Sequence, residues 1–171
     1  EMLSHREVEL VGEVDADSAN ALIRQLRYLQ REDPGAWVTL YINSPGGSVD
    51  SGMALYDVMQ AVSCPVRTVC VGLAASMAAL LFVSGSRRDM LPHSRIMIHD
   101  PLIPQTGGSA LKLKAISDDL METRQIIARV IAEHSGKNME EILAKTANDC
   151  YFRAEEAAKF GLAAHITTSL A

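Results

Sequence analysis

Residues 65–85 read PVRTVCVGLAASMAALLFVSG, and this stretch decides the fold. Pro65 opens it, and Val66 to Val71, with four β-branched residues among six, reads as a strand. Gly72 interrupts the run. After Ser76 the residues are apolar as far as Val83, which predicts a buried helix ending near Gly85. The apolar part, Val69 to Val83, is shorter than the roughly 20 residues a membrane span needs, and it begins as a strand. A strand feeding directly into a buried helix belongs to an α/β protein rather than to a membrane anchor.

The flanks extend the same alternation. Upstream, Val8 to Val11 reads as a short strand, and Leu22, Ile23, Leu26 and Leu29 recur at helical spacing behind the candidate caps Asp15, Asp17 and Ser18. Residues 37–42 read as a buried strand running into the turn Ser44-Pro-Gly-Gly47, with a helix over about 51–62. Downstream, Arg95 to Ile98 is a further strand. A loop with Gly107 and Gly108 precedes a long helix over about 110–135 and a short one over 138–145. Tyr151 and Phe152 look strand-like, and a last helix over 154–160 meets Gly161 at the position after the C-cap, which favours glycine. Strands alternating with helices predict α/β with largely parallel pairing. At 171 residues, one domain over 1–171 is expected, with no repeat or linker.

Composition narrows the function classes. A net charge of −5 lacks the basic footprint of a nucleic-acid or anionic-membrane partner. Cys64, Cys70 and Cys150 are odd in number and form no CxxC pair, so free thiols in a reducing cytosol are expected rather than a disulfide framework or a metal site. The opening residues, Glu1 to Glu7, have no apolar run and read as no signal peptide.

Three features carry chemistry. Ser76 places a hydroxyl where a strand meets a helix, and unpaired amides at a helix start favour a developing negative charge. A nucleophile there would find an oxyanion donor in the Met77 N–H, but serine at a helix start is also an ordinary N-cap. Gly46 and Gly47, in Asn43-Ser-Pro-Gly-Gly-Ser48, permit backbone that aims amides at a ligand, so Gly47 is a candidate second donor; Pro-Gly-Gly also makes plain turns. A serine nucleophile needs a base and an orienting acid. Among five histidines, His99 ends the apolar strand Arg95-Ile-Met-Ile and is favoured by position. Among the acids, Asp149 sits in a loop entering an apolar element, and a turn aspartate explains it about as well.

Tyr41-Ile-Asn-Ser-Pro-Gly-Gly47, Gly72-Leu-Ala-Ala-Ser-Met77, Leu91-Pro-His-Ser-Arg-Ile-Met-Ile-His99 and Thr146-Ala-Asn-Asp149 resemble, in order, hallmark segments of the Clp protease proteolytic subunit family. The resemblance runs from about Val8 to Ile166. It implies a ClpP/crotonase-like fold of stacked ββα units, with Ser76 as nucleophile, His99 as base, Asp149 as orienting acid and the Gly47 and Met77 amides as oxyanion hole. It further implies two stacked seven-membered rings enclosing the sites, unfolded polypeptide fed by a Clp-type AAA+ ATPase, cytoplasmic residence, and no metal or cofactor. An acyl-CoA enzyme of the crotonase type and a non-catalytic ring subunit are the competing readings.

The chain also departs from that family. Asp100 stands where Gln commonly follows the histidine, placing a negative charge beside the base. Ala147 and Asn148 replace the acid and arginine that tie ring to ring, so ring coupling, and any need for a paralogous subunit, stay open. Thr39 and Asp89 replace aromatics that line the ATPase-docking pocket, which predicts weakened docking. The segment from Ser84 to Asp89 is about two residues short, and the usual N-terminal gate segment is largely missing from the sequence, whether by truncation or by nature.

Overall fold

The computed structural model describes residues 1–103 and 105–170. In chain order the elements are β1 (Glu7–Val11), α1 (Ala16–Glu32), β2 (Val38–Ser44), α2 (Val49–Ala61), β3 (Val66–Ala75), α3 (Met77–Val83), β4 (Arg87–Met90), β5 (Arg95–Ile98), α4 (Ala110–Ser135), α5 (Met139–Thr146), β6 (Cys150–Arg153), α6 (Ala154–Phe160) and β7 (His165–Ile166). The expected α/β class with largely parallel pairing is the class observed. Strands β1, β2, β3, β4 and β7 run parallel in that order, β5 also pairs with β3, and β6 joins β5 antiparallel.

Strand β3 organises the sheet because it serves two neighbours in succession. Residues 67–70 pair with β4, and residues 73–75 pair with β5. Between them Gly72 takes φ +76°, and the register against β2 slips between Ile42 and Ser44. A Cβ at Gly72 would stand 3.1 Å from the Asn43 side-chain oxygen, a tight contact, and the positive φ itself favours glycine at this crossing. The strand therefore continues to Ala75, past the Val71 expected from its pattern, and delivers Ser76 directly above β5.

One face of the sheet is covered by α1, α2 and α3. Asp15 is the cap that α1 uses: its carboxylate accepts from the Ser18 N–H, and the Ser18 hydroxyl answers the Asp15 N–H. Leu22, Leu26 and Leu29 then fall on one buried stripe against Val8, Leu10, Leu40 and Ile42. Each such leucine contributes roughly 1.5–3 kcal/mol by leaving water. All seven residues of α3 are buried, as its sequence requires.

Two strands escaped the sequence reading. β4 carries Arg87, Arg88 and Asp89, a charged run without strand pattern, and β7 is two residues long. Helix α4 packs only through its second half, where Ile127, Ala128, Val130, Ile131 and Ala132 are buried; Leu111, Leu113 and Met121 in the first half are exposed. No helix among the described residues is long and apolar enough to cross a membrane. Cys64, Cys70 and Cys150 are free thiols. Burial pushes the Cys70 thiol up to about 11, which leaves it unreactive.

Candidate active site

Ser76 occupies the turn between β3 and α3 with φ +57° and ψ −123°, a conformation that costs a non-glycine residue on the order of 1–3 kcal/mol. The surroundings enforce it. The Ser76 N–H donates to the Met97 carbonyl at 2.9 Å, and the Ser76 carbonyl accepts from the Ala79 and Leu80 amides. With the backbone held from both sides, the side chain is turned away from the helix. It makes no capping hydrogen bond; its Oγ lies 2.8 Å from His99 Nε2. The ordinary N-cap explanation of Ser76 is thereby excluded.

His99 follows β5, and its position relative to Asp149 comes from strand register. β5 and β6 pair antiparallel, with Ile98 opposite Cys150. The next residues outward, His99 and Asp149, therefore face one another. His99 Nδ1 stands 3.4 Å from Asp149 Oδ1, the imidazole is largely covered, and the carboxylate is 66% exposed. That separation exceeds a good N–H···O bond, a looseness common in unliganded sites. Of the competing histidines, His134 faces the Tyr56 hydroxyl at 3.2 Å, and burial holds its pKa below the ordinary histidine value.

The glycine turn lies against the serine. A Cβ at Gly46 would come within 2.6 Å of the Ala75 carbonyl and 2.7 Å of the Ser76 Cβ, while one at Gly47 would collide with the Val14 carbonyl. Gly47 has φ +153° and forms a parallel bridge with Val14, in which the Val14 N–H donates to the Gly46 carbonyl and the Ser48 N–H to the Val14 carbonyl. That ladder leaves the Gly47 N–H directed away from Val14, and Met77, first in α3, has no intrahelical acceptor. Gly47, Ser76, Met77 and His99 line one cleft of about 250 Å³, whose walls are mostly apolar and include Val49, Met97, Ile127 and Ile131.

A strained serine, a histidine in contact with it, a facing carboxylate and glycine-framed amides can together support attack on a carbonyl. A protein-family model described as Clp protease matches residues 1–169. The chain belongs to the Clp protease family. It is accordingly a serine peptidase of the Clp type, and its mixed α/β fold with a mostly parallel sheet is the fold expected of that family.

The positions that depart from the family pattern have definite surroundings. Asp100 turns its carboxylate to Arg124, whose Nε donates at 2.7 Å. Asp100 stood out in the sequence as a charge beside the base, but Arg124 did not; the pairing of a strand end with a helix 24 positions later has no local signature. Ala147 and Asn148 are exposed. Asp89 is wholly buried, with Arg67 Nε at 2.7 Å and Arg87 Nε at 3.0 Å. It therefore alters the adjoining surface through its arginines: Trp37, Thr39, Arg67 and Arg87 line a shallow pocket there.

Proposed function

We propose that residues 1–171 form a single serine endopeptidase domain that cuts unfolded polypeptides to short peptides without a cofactor. The contact of Ser76 Oγ with His99 Nε2 at 2.8 Å carries this reading. In the reaction, His99 Nε2 takes the hydroxyl proton as Ser76 Oγ attacks the scissile carbonyl. The developing oxyanion accepts hydrogen bonds from the Gly47 and Met77 amides. The imidazolium then protonates the leaving amine, and water, deprotonated by the same nitrogen, releases the acyl group from Ser76. Asp149 holds His99 in the tautomer with the proton on Nδ1 and stabilises the imidazolium.

The domain works inside a cytoplasmic chamber of two stacked seven-membered rings, supplied by a Clp-type AAA+ ATPase. Family membership supports assembly and an ATPase partner, and so do the exposed Leu111, Leu113 and Met121 on the largely uncovered first half of α4. The 3.4 Å gap at Asp149 favours a second reading, in which the site closes fully only in assembly with further copies or with a paralogous subunit.

Treatment with a fluorophosphonate probe should label the wild-type protein and leave Ser76→Ala unlabelled and unable to cleave an unfolded substrate. Labelling that persists in Ser76→Ala sinks the assignment. Docking of a standard ATPase loop should be weak, because Arg67 and Arg87 border the pocket where an apolar loop would sit. Sedimentation with such an ATPase at ordinary tight affinity would remove that idea.

A further inference from the structure

Asp100 joins three elements that lie far apart in the chain. It directly follows His99. Its backbone N–H donates to the Thr146 carbonyl at 2.8 Å, and Thr146 ends α5 three residues before Asp149. Its Oδ2 accepts from Arg124 Nε at 2.7 Å, and Arg124 lies on α4 just before the buried stretch that begins at Ile127. We propose that the Asp100–Arg124 pair is a positioning device: it locks the strand end carrying His99, and through Thr146 the loop carrying Asp149, to one rigid helix. The proposal rests on the roles assigned above to His99 and Asp149.

The need for such a device follows from how Asp149 is held. Its carboxylate is exposed and, among the described residues, meets His99 alone, at 3.4 Å. No side-chain network fixes it, so the alignment depends on where the backbone places residues 99 and 149. The Asp100–Thr146 hydrogen bond is a further cross-link between those two backbones, beyond the end of the β5–β6 ladder. A single peptide hydrogen bond is weak once exchange with water is counted. Arg124 reinforces it by tying Asp100 to a helix whose second half is anchored in the core.

The carboxylate of Asp100 gives the pair a testable asymmetry. Its Oδ1 is sealed from solvent and has no hydrogen-bond partner among the described residues, and Arg124 is the cation that meets the partly exposed carboxylate. Removing Arg124 leaves a carboxylate with one oxygen sealed from solvent and no cation beside it, which is worse than having no charge there. The segment around residue 100 would then shift toward water and carry His99 with it. Neutralising both partners removes that force. A side chain that served only as packing would show no such recovery.

The experiment measures kcat and KM on a short fluorogenic peptide for the assembled wild type, Arg124→Ala, Arg124→Lys and the double variant Asp100→Asn/Arg124→Gln, with the native mass of each. Arg124→Ala should lower kcat by ~10- to 100-fold, the range expected when reacting groups move by about 1 Å, with little change in KM. Arg124→Lys and the double variant should each recover most of that loss. The proposal falls if kcat in Arg124→Ala is unchanged, if its loss follows a drop in native mass or a rise in KM, or if the double variant is no better than the single. Should Arg124→Ala fail to assemble, Arg124→Lys and the double variant decide alone: both must keep wild-type mass and most of kcat. A wild type that neither cleaves peptide nor labels at Ser76 removes the functional reading and this proposal together; an active wild type with indifferent variants removes the proposal only.

Discussion

Asp89 lies on β4 and Asp149 enters β6, strands of one sheet, yet the two carboxylates are held in opposite ways. Asp89 is completely buried and shared by two guanidinium groups, Arg67 at 2.7 Å and Arg87 at 3.0 Å. Asp149 is two-thirds exposed and has a single neighbour, His99, at 3.4 Å. The register explains the first arrangement. β3 and β4 pair in parallel with Arg67 beside Arg87 and Val69 beside Asp89. Two like charges side by side in a ladder destabilise it, and a carboxylate two residues along the same face neutralises them. In the second arrangement nothing is over-determined. Over-pairing fits a charge the fold depends on; a single loose contact fits the orienting role proposed for Asp149.

The largest test of this contrast is Asp89→Ala. It leaves Arg67 and Arg87 adjacent with no anion between them, and breaking a buried pair in this way costs roughly 3–5 kcal/mol. For a chain of this size, that is a fall of roughly 6–20 °C in Tm. Thermal unfolding followed by circular dichroism reads it directly. A Tm within about 2 °C of wild type, by the same conversion, would mean that Asp89 does not hold β3 to β4.

The same contrast explains what the sequence discloses. Ser76 and the glycine pair were marked by local pattern, a serine where a strand meets a helix and glycines where a Cβ at Gly46 would come within 2.6 Å of the Ala75 carbonyl, but each pattern alone fits an ordinary cap or turn equally well. The α1 stripe was legible because helical periodicity survives without tertiary context. β4 was not, since Arg87, Arg88 and Asp89 look like a solvated loop until Arg67 arrives from β3 to share the carboxylate. Similarly, the continuation of β3 from Gly72 to Ala75 depends on β5 pairing at Leu73, Ala74 and Ala75, which small residues do not announce. The choice of Asp149 over the other acids was close to even on pattern and came from family resemblance. The nearness of Asp149 to His99 follows from the antiparallel register of β5 and β6, which is a property of two segments and not of either one.

Asp149→Asn carries the contrast to the other carboxylate, with its effect confined to catalysis. The side chain is exposed and supports no other contact among the described residues, so stability should change by no more than about 0.5 kcal/mol, as for ordinary surface substitutions. The amide keeps the shape but loses the charge that stabilises the imidazolium, and it can offer His99 Nδ1 a donor in place of an acceptor, favouring the wrong tautomer. Loss of a well-seated orienting acid costs on the order of 10⁴-fold in kcat. At 3.4 Å and in contact with solvent, Asp149 has a weaker hold to lose, and the expected fall is ~10²- to 10³-fold, with Ser76 still present for a fluorophosphonate probe to label slowly. Measuring kcat and Tm on the same preparation separates the two carboxylates. If Asp149→Asn loses stability as Asp89→Ala does, or keeps full kcat, then its exposed, loosely held position marks an ordinary turn aspartate and the contrast between the two sites collapses.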